Sequence, residues 1–289
     1  MSHKPLVGFH ASMSGGLYRA LEQASALDCP TVQLFTKNNR MWNESNLTPE
    51  MISRFITTKK ELKIEAVVSH ASYLINLASV RPEVRNASFH ALKEELTRSS
   101  LLEIDYVVLH PGSHTGHSLT EGINYLTDAC NKVLEHNPSA MLLFETMAGQ
   151  GSSIGRSFEE LSLILEKIEY KKRVGICMDT CHIFAAGYPV ATDEDYHNLM
   201  NNFDKACGLH NLRVIHINDS KKEGGSRVDR HEHIGEGKIA LNFFKNIMND
   251  IKFRHVPKIL ETPQDDPQDN HRNLHTLLTL IKKIGKEKN

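Results

Sequence analysis

Acidic or imidazole side chains follow short apolar runs at seven places in this sequence of 289 residues. They stand at or next to the end of each run: His10, His70, His110, Glu145, Asp179, His216 and Glu261. Imidazole nitrogens and carboxylate oxygens are the ligands that zinc and related divalent ions take in proteins. Any one of these residues is most simply a polar loop residue or a helix cap. Their repetition in equivalent positions predicts a shared metal site.

Two further segments add candidate ligands. His182 lies three residues after Asp179, close enough to share its site or to serve an adjacent one. Asp229 and His231 are two residues apart, so they face the same way in an extended segment. His233 shares that face, and spacing alone does not choose between His231 and His233. The candidate ligands number about nine, too many for one tetrahedral ion, which predicts two or three ions with a bridging carboxylate.

Other spacings that suggest metal binding are weaker. His110, His114 and His117 have the spacing of a zinc finger, but Pro111-Gly112 interrupts any helix between them. Cys181 lies beside Asp179, and a packed thiol is favoured over a thiolate ligand there. The five cysteines are odd in number and include no CxxC pair, so we expect free thiols in a reducing, cytoplasmic setting.

Eight apolar runs could form the strands that position these residues. They are Leu6–Phe9, Thr31–Phe35, Ala66–Val68, Tyr106–Leu109, Met141–Phe144, Val174–Met178, Val214–Ile217 and Lys258–Leu260. Most are continuously apolar, which is typical of parallel strands covered on both faces. The intervening segments carry helix signals, such as the cap and first-turn proline of Thr48-Pro49. The pattern predicts an α/β fold, a (β/α)8 barrel whose strand ends meet at one mouth, with a doubly wound sheet as the alternative.

Composition limits the classes of function. Lys and Arg number 34 against 35 Asp and Glu, so the net charge of −1 excludes a uniformly basic nucleic-acid-binding surface but allows a local basic rim. No apolar run approaches the roughly 18 residues that cross a membrane. We find no phosphate-binding glycine loop and therefore expect no nucleotide cofactor. The whole chain, residues 1–289, is predicted to be one domain, with a frayed charged tail at 282–289.

Loops after the second, third and seventh runs could contact a substrate. The basic residues there are Lys37, Arg40, Lys221, Lys222, Arg227 and Arg230. Charged loop residues are usually only solvated, but beside a metal cavity they could bind phosphates. Tyr73 and Leu74 directly follow His70. They could belong to the core, or they could form a wedge that enters a base stack.

Several longer motifs occur in a fixed order. They are Phe35-Thr36-Lys37-Asn38-Asn39-Arg40, His70 with Ser72-Tyr73-Leu74-Ile75-Asn76-Leu77, His110-Pro111-Gly112-Ser113-His114, Glu145 with Ala148-Gly149-Gln150-Gly151, Asp179-Thr180-Cys181-His182 with Ala185-Ala186-Gly187-Tyr188, Ser226-Arg227-Val228-Asp229-Arg230-His231, Gly235-Glu236-Gly237 and Leu260-Glu261-Thr262. In these motifs the chain resembles the endonuclease IV family, the metal-dependent apurinic/apyrimidinic endonucleases of bacterial base-excision repair. The resemblance runs from about residue 6 to residue 262, nearly the whole chain.

The resemblance implies a barrel with three divalent ions, zinc above all, with manganese as an alternative. The implied ligand sets are His70, His110 and Glu145 for the first ion, Glu145, Asp179, His216 and Glu261 for the second, and His182, Asp229 and His231 for the third. By analogy it favours His231 over His233, and it leaves His10, His114, Cys181 and His233 with supporting roles. Ala71 and Thr146 depart from the family pattern, which has an acidic residue and an asparagine there, but neither is a ligand.

The implied activity is that of a deoxyribonuclease IV-type hydrolase. It would cut duplex DNA 5′ to an abasic site and leave a 3′-hydroxyl and a 5′-deoxyribose phosphate. It would also act as a 3′-phosphatase and 3′-phosphodiesterase on blocked ends. Glu261 and Glu145 would be catalytic, with Glu261 orienting or deprotonating a metal-activated water. Lys37, Arg40, Tyr73, Leu74, Arg227 and Arg230 would contact DNA while the abasic nucleotide flips into the site. We expect a monomer with no membrane contact.

Two other functions use the same residues. A metal-dependent sugar isomerase or epimerase could share the barrel, but such sites favour carboxylates and need no basic and aromatic rim. A non-catalytic metal-binding protein would bind zinc without any turnover. Five histidines among the implied ligands favour the nuclease over the isomerase.

Overall fold

The computed structural model describes residues 5–42, 46–136 and 138–282, and the predicted frayed tail lies outside them apart from Lys282. Eight parallel strands form one sheet: β1 Val7–Phe9, β2 Thr31–Leu34, β3 Ala66–His70, β4 Tyr106–Leu109, β5 Met141–Glu145, β6 Val174–Asp179, β7 Leu212–His216 and β10 Lys258–Leu260. Asp219–Ser220 (β8) and His231–Glu232 (β9) pair as a small antiparallel ribbon in the loop after β7. The predicted strands are therefore confirmed to within a few residues.

The sheet curls into a barrel. Its strand order is β1-β10-β7-β6-β5-β4-β3-β2, and a parallel bridge between His10 and Gln33 joins the two end strands. Gly8 permits this approach, because a Cβ atom there would lie 1.9 Å from the carbonyl oxygen of Thr31. The (β/α)8 prediction is confirmed and the doubly wound alternative is wrong.

Helices cover the outside of the barrel. They are α1 Tyr18–Ala26, α2 Pro49–Glu61, α3 Pro82–Leu101, α4 Leu119–Leu134, α5 Phe158–Lys167, α6 Thr180–Ala186, α7 Asp193–Cys207, α8 Leu241–Asn249 and α9 Asp269–Thr279. The predicted start of α2 is confirmed, since the Thr48 hydroxyl accepts a hydrogen bond from the Met51 amide. None of the described helices combines the length and the apolar composition that a membrane span requires.

An apolar floor closes the barrel interior. It consists of the fully buried side chains of Val68, Val108, Leu143, Cys177, Val214 and Ile259. Successive side chains of a strand alternate between its two faces, so the next inward position lies two residues further along. In these six strands those positions hold His70, His110, Glu145, Asp179, His216 and Glu261. Strand alternation therefore places six candidate ligands in one layer above the floor, at the carboxyl ends of the strands.

Candidate metal centre

Among the groups of possible metal ligands in the described residues, three consist only of histidines and carboxylates, and in each the ligand atoms lie within 4.8 Å of one another. We call them site A (His70, His110, Glu145), site B (Glu145, Asp179, His216, Glu261) and site C (His182, Asp229, His231). The sets are those that the family resemblance implies. A group of this size and composition has the donor set that zinc prefers.

Glu145 joins sites A and B. Its Oε2 lies 3.2 Å from His70 Nε2 and 3.0 Å from His110 Nε2. Its Oε1 lies 2.8 Å from His216 Nδ1 on the other side. The two oxygens of one carboxylate therefore face two separate groups, which is the arrangement of a bridging ligand. Burial of this side chain is costly unless its charge is matched, so cations on both sides of it would offset that cost.

Site C is assembled from a helix and a loop. His182 lies in the first turn of α6, where Asp179 caps the helix by accepting a 2.9 Å hydrogen bond from the His182 amide. His182 Nε2 lies 3.2 Å and His231 Nε2 3.3 Å from opposite oxygens of Asp229. Both Nε2 atoms are buried and lack a hydrogen-bond partner among the described residues. Two buried, unpartnered nitrogens aimed at one carboxylate are the pattern expected of metal ligands.

Hydrogen bonds fix the orientation of the imidazole rings. The Nδ1 atoms of His70, His182 and His231 lie 2.8, 2.8 and 3.0 Å from the carbonyl oxygens of Ala71, Thr146 and Glu261, respectively. A carbonyl oxygen only accepts, so each Nδ1 carries a proton, and Nε2 is the nitrogen that could bind an ion after losing its own proton. Metal-binding histidines are held in this way. The residues present therefore fit a group of divalent ions.

Neighbouring charges in the cluster oppose the effect of burial on the pKa values of its residues. Burial opposes protonation of His231, yet the carboxylates of Asp179, Asp229 and Glu261 raise its pKa to about 9. Burial would also raise the pKa of Glu145, but the imidazoles of His216 and His110 hold it well below its usual range. Protons on the histidines thus balance the buried carboxylates, and bound cations could replace those protons.

Two residues that sequence reasoning missed support the ligands. Gln33 lies in the buried strand β2, and its side-chain amide makes hydrogen bonds with His216 and Glu261. Asn218 donates a 2.7 Å hydrogen bond to Asp179 and accepts another from the amide of Glu261. A glutamine inside the buried run Thr31–Leu34 was the sequence signal for the first of them.

Thr146, one of the departures from the family pattern, also supports two ligands. Its hydroxyl accepts a 2.9 Å hydrogen bond from the Asp179 amide, and its carbonyl accepts from His182 Nδ1. The main-chain contact is independent of side-chain identity. The hydroxyl contact needs only an acceptor, which the threonine provides.

The other candidate histidines have partners within the protein. His233 Nδ1 lies 3.0 Å from Asn273 Nδ2, and His114 Nδ1 lies 2.6 Å from the carbonyl oxygen of His117. His10 Nδ1 contacts the Gln33 amide at 2.9 Å and lies 3.8 Å from Glu261. Cys181 is buried, and its thiol lies 3.7 Å from the carbonyl oxygen of Arg230. In the described part of the chain, His10, His114 and His233 lie outside every group of possible metal ligands, whereas the Cys181 thiol lies within 4.8 Å of ligand atoms of Asp179 and His231.

The residues predicted to contact DNA differ in their exposure to solvent. Tyr73 is 57% exposed, and its ring lies 5.2 Å from His70 and 5.5 Å from His110, measured between ring centroids. Leu74 beside it is half-buried. Arg40, Arg227 and Arg230 are exposed. A cavity of about 660 Å³ opens beside Tyr73 and Glu261.

Lys37 differs from the other basic residues. Its side chain is 3% exposed, and its ammonium donates to Glu94 at 2.7 Å and to the carbonyl oxygen of Trp42 at 3.2 Å. Its charge is therefore matched inside the protein, where it anchors the loop that carries Arg40. The expected phosphate contact would require this ammonium to leave both partners.

Known proteins resemble this chain over nearly its whole length. A model of the xylose isomerase-like TIM barrel family matches residues 21–284. A probable endonuclease 4 from Chloroflexus aurantiacus is 41% identical over 280 residues, which are 96% of this chain and 98% of that protein. The crystal structure of endonuclease IV from Thermus thermophilus is similar with a TM-score of 0.85 and 34% identity, covering 96% of this chain and 98% of that one.

A more distant structural neighbour shares only the fold with this chain. A D-tagatose 3-epimerase-like protein is similar with a TM-score of 0.71 over 94% of this chain and 96% of that one, but at 20% identity this shows the barrel only. The relatives above 30% identity are more specific, since they span nearly the whole chain. On this evidence the chain belongs to the endonuclease IV family, within the wider family of xylose isomerase-like TIM barrels.

Proposed function

We propose that this hydrolase cuts the phosphodiester bond 5′ to an abasic site in duplex DNA, leaving a 3′-hydroxyl and a 5′-deoxyribose phosphate. The proposal rests mainly on one observation: sites A, B and C lie together at the mouth of the barrel, and Glu145 belongs to both site A and site B. Adjacent ions joined by a carboxylate suit phosphoester hydrolysis, in which charge develops on both the attacking and the leaving oxygen. Membership of the endonuclease IV family supports the DNA substrate.

Sites A, B and C would each hold one divalent ion. Their imidazole and carboxylate donors accept zinc, and manganese at one or more positions is the alternative. When bound, such ions supply an activated water and positive charge for the departing oxygen. Because hydrolysis would depend on these ions, chelation should abolish activity and zinc should restore it.

Glu261 is the residue we assign to the proton of the attacking water. Its side chain is 12% exposed and borders the cavity, whereas Glu145 is fully buried. The Gln33 amide and His216 hold its two oxygens in place. Glu261 can therefore orient a water and accept its proton while the carboxylate remains in site B. The same geometry would serve removal of phosphate esters from blocked 3′ ends.

Tyr73, Leu74 and Arg40 would enter the duplex at the lesion, and Arg227 and Arg230 would contact its phosphates. Tyr73 already lies at the mouth with more than half of its surface exposed. The cavity beside Glu261 has the volume of an ordinary ligand pocket, so a flipped sugar could enter it. A monomer suffices for this arrangement, because every proposed ligand comes from one chain. We assign Lys37 to the loop anchor that its contacts describe.

The decisive experiment is incision of a labelled duplex that carries one tetrahydrofuran abasic analogue. This analogue cannot undergo β-elimination, so only hydrolysis breaks the strand. We expect a single product ending in a 3′-hydroxyl, no cut in the matched intact duplex, and loss of activity after chelation. No cleavage by the zinc-loaded protein would refute the proposal and would direct attention to sugar substrates.

A further inference from the structure

Seven of the eight barrel strands bring a histidine or a carboxylate to the mouth, and β2 is the exception. Its inward position carries Gln33, whose side chain is fully buried. The Gln33 Oε1 atom lies 2.8 Å from His216 Nε2. Its Nε2 atom donates to Glu261 Oε1 and lies 2.9 Å from His10 Nδ1. The opposite amide orientation would turn an oxygen toward the Glu261 carboxylate, so this network fixes the orientation.

The contact with Gln33 determines which nitrogen of His216 faces site B. Because Gln33 Oε1 only accepts, His216 Nε2 carries a proton and donates it. His216 Nδ1 then faces Glu145 Oε1 at 2.8 Å and Glu261 Oε2 at 3.1 Å. Without the acceptor, nothing else among the hydrogen bonds of the described residues holds this ring by its Nε2 atom.

The same amide positions Glu261. Its donation to Oε1 leaves Oε2 turned toward His216 Nδ1 and the interior of site B. One side chain therefore orients two of the four residues of site B. Within the described part of the chain, Gln33 has no hydrogen bond to His70, His110 or the three residues of site C.

We propose that Gln33 is a positioning residue for site B, which sets the tautomer of His216 and the direction of the Glu261 carboxylate. This inference rests on the proposed metal-dependent function. It predicts a selective effect: loss of the amide weakens the ion at site B and leaves those at sites A and C in place. Loss of an outer partner of a metal ligand usually costs about 10- to 100-fold in metal affinity or activity.

The test compares Gln33→Leu with Thr31→Val in the full chain. Thr31 is also fully buried in β2, on the same face, and its hydroxyl donates to the Ala66 carbonyl at 2.9 Å, away from the ligands. Zinc affinity is measured for each bound ion by competition with a chromophoric chelator, and kcat and KM are measured on the tetrahydrofuran duplex. Gln33→Met, an apolar residue of similar length, is the second variant if Gln33→Leu does not fold.

We expect one zinc ion of the Gln33 variant to bind roughly 10- to 100-fold more weakly, and the others within about twofold of wild type. At saturating zinc, kcat should fall while KM for DNA stays unchanged, since Gln33 is buried beneath the mouth. Thr31→Val should match wild type in both measurements. An unchanged zinc affinity, or an equal loss at all ions, would overturn the proposal. If wild-type protein binds zinc but does not cut DNA, the zinc measurement still decides the role of Gln33, and only the proposed function fails.

Discussion

In the metal-free protein, His231 should stabilise the fold at low pH and lose this effect as the pH rises. The ring is 17% exposed, and its Nε2 lies 3.3 Å from Asp229 and 3.6 Å from Asp179. Burial favours the neutral ring, but these carboxylates raise its pKa to about 9. The pKa of an unfolded histidine is about 6.5. A folded pKa above the unfolded one gives stability that is complete below about pH 6.5 and is lost as the pH rises through about 9.

The magnitude follows from the two pKa values. A folded value of about 9 and an unfolded value of about 6.5 differ by about 2.5, and each unit is worth about 1.4 kcal/mol, so the contribution is of order 3 kcal/mol. The assay is urea unfolding in the presence of a chelator, for wild type and for His231→Asn, between about pH 6 and pH 9.5. The difference in free energy of unfolding between the two proteins should shrink from about 3 kcal/mol toward zero across this range.

Titration of distant groups affects both proteins alike and cancels in the difference, whereas Asp229 and His182 interact directly with His231. The difference therefore reports His231 together with these two neighbours. A difference that does not change with pH would refute the reasoning, because it would mean that His231 stays neutral among its carboxylates. Zinc-saturated protein is the control. Zinc needs the neutral ring, so its binding at site C should remove the pH dependence of stability over this range and should tighten as the pH rises.

Three further predictions concern the reaction, the rim and the barrel seam. Glu261→Gln should lower the rate of incision by about 100-fold or more while a fluorescence anisotropy titration shows unchanged DNA binding, and incision near the wild-type rate would contradict its assigned role. Tyr73→Ala should weaken binding of the abasic duplex by roughly tenfold without changing zinc content, since stacking on an aromatic ring is worth about 1–3 kcal/mol. An unchanged Kd would mean that Tyr73 does not contact the DNA. Gly8→Ala should destabilise the fold by at least about 2 kcal/mol in urea unfolding, because its Cβ would meet the Thr31 carbonyl at 1.9 Å, and wild-type stability would mean that the seam can open.

The sequence predicted the barrel because each strand is a run of buried apolar residues, and the prediction that strands three and five end in His70 and Glu145 is confirmed although their apolar runs are shorter. The third predicted run stopped at Val68 and the fifth at Phe144, whereas β3 continues to His70 and β5 to Glu145. The apolar pattern ends where the ligands begin. The hydrogen-bond ladder of the main chain does not depend on side-chain polarity, so the strands extend through the ligands.

The loop after β7 shows where reasoning from spacing fails. His231 and His233 would share a face only if the segment stayed extended through both residues. The strand β9 ends at Glu232, and the chain then turns, so that His231 faces Asp229 while His233 contacts Asn273. The internal pairing of Lys37 was likewise beyond the sequence, because its acidic partner Glu94 lies 57 residues away on α3.

The separation between floor and ligand layer explains how one barrel can carry different chemistry. The floor residues are apolar and fill the interior, and the ligands are the next inward residues at the strand ends. A change of ligand therefore alters the site without a cavity in the floor, and catalytic groups at barrel strand ends vary for this reason. Fold similarity to an epimerase-like protein at 20% identity consequently says nothing about the reaction, which must be argued from the ligand layer and the exposed rim above it.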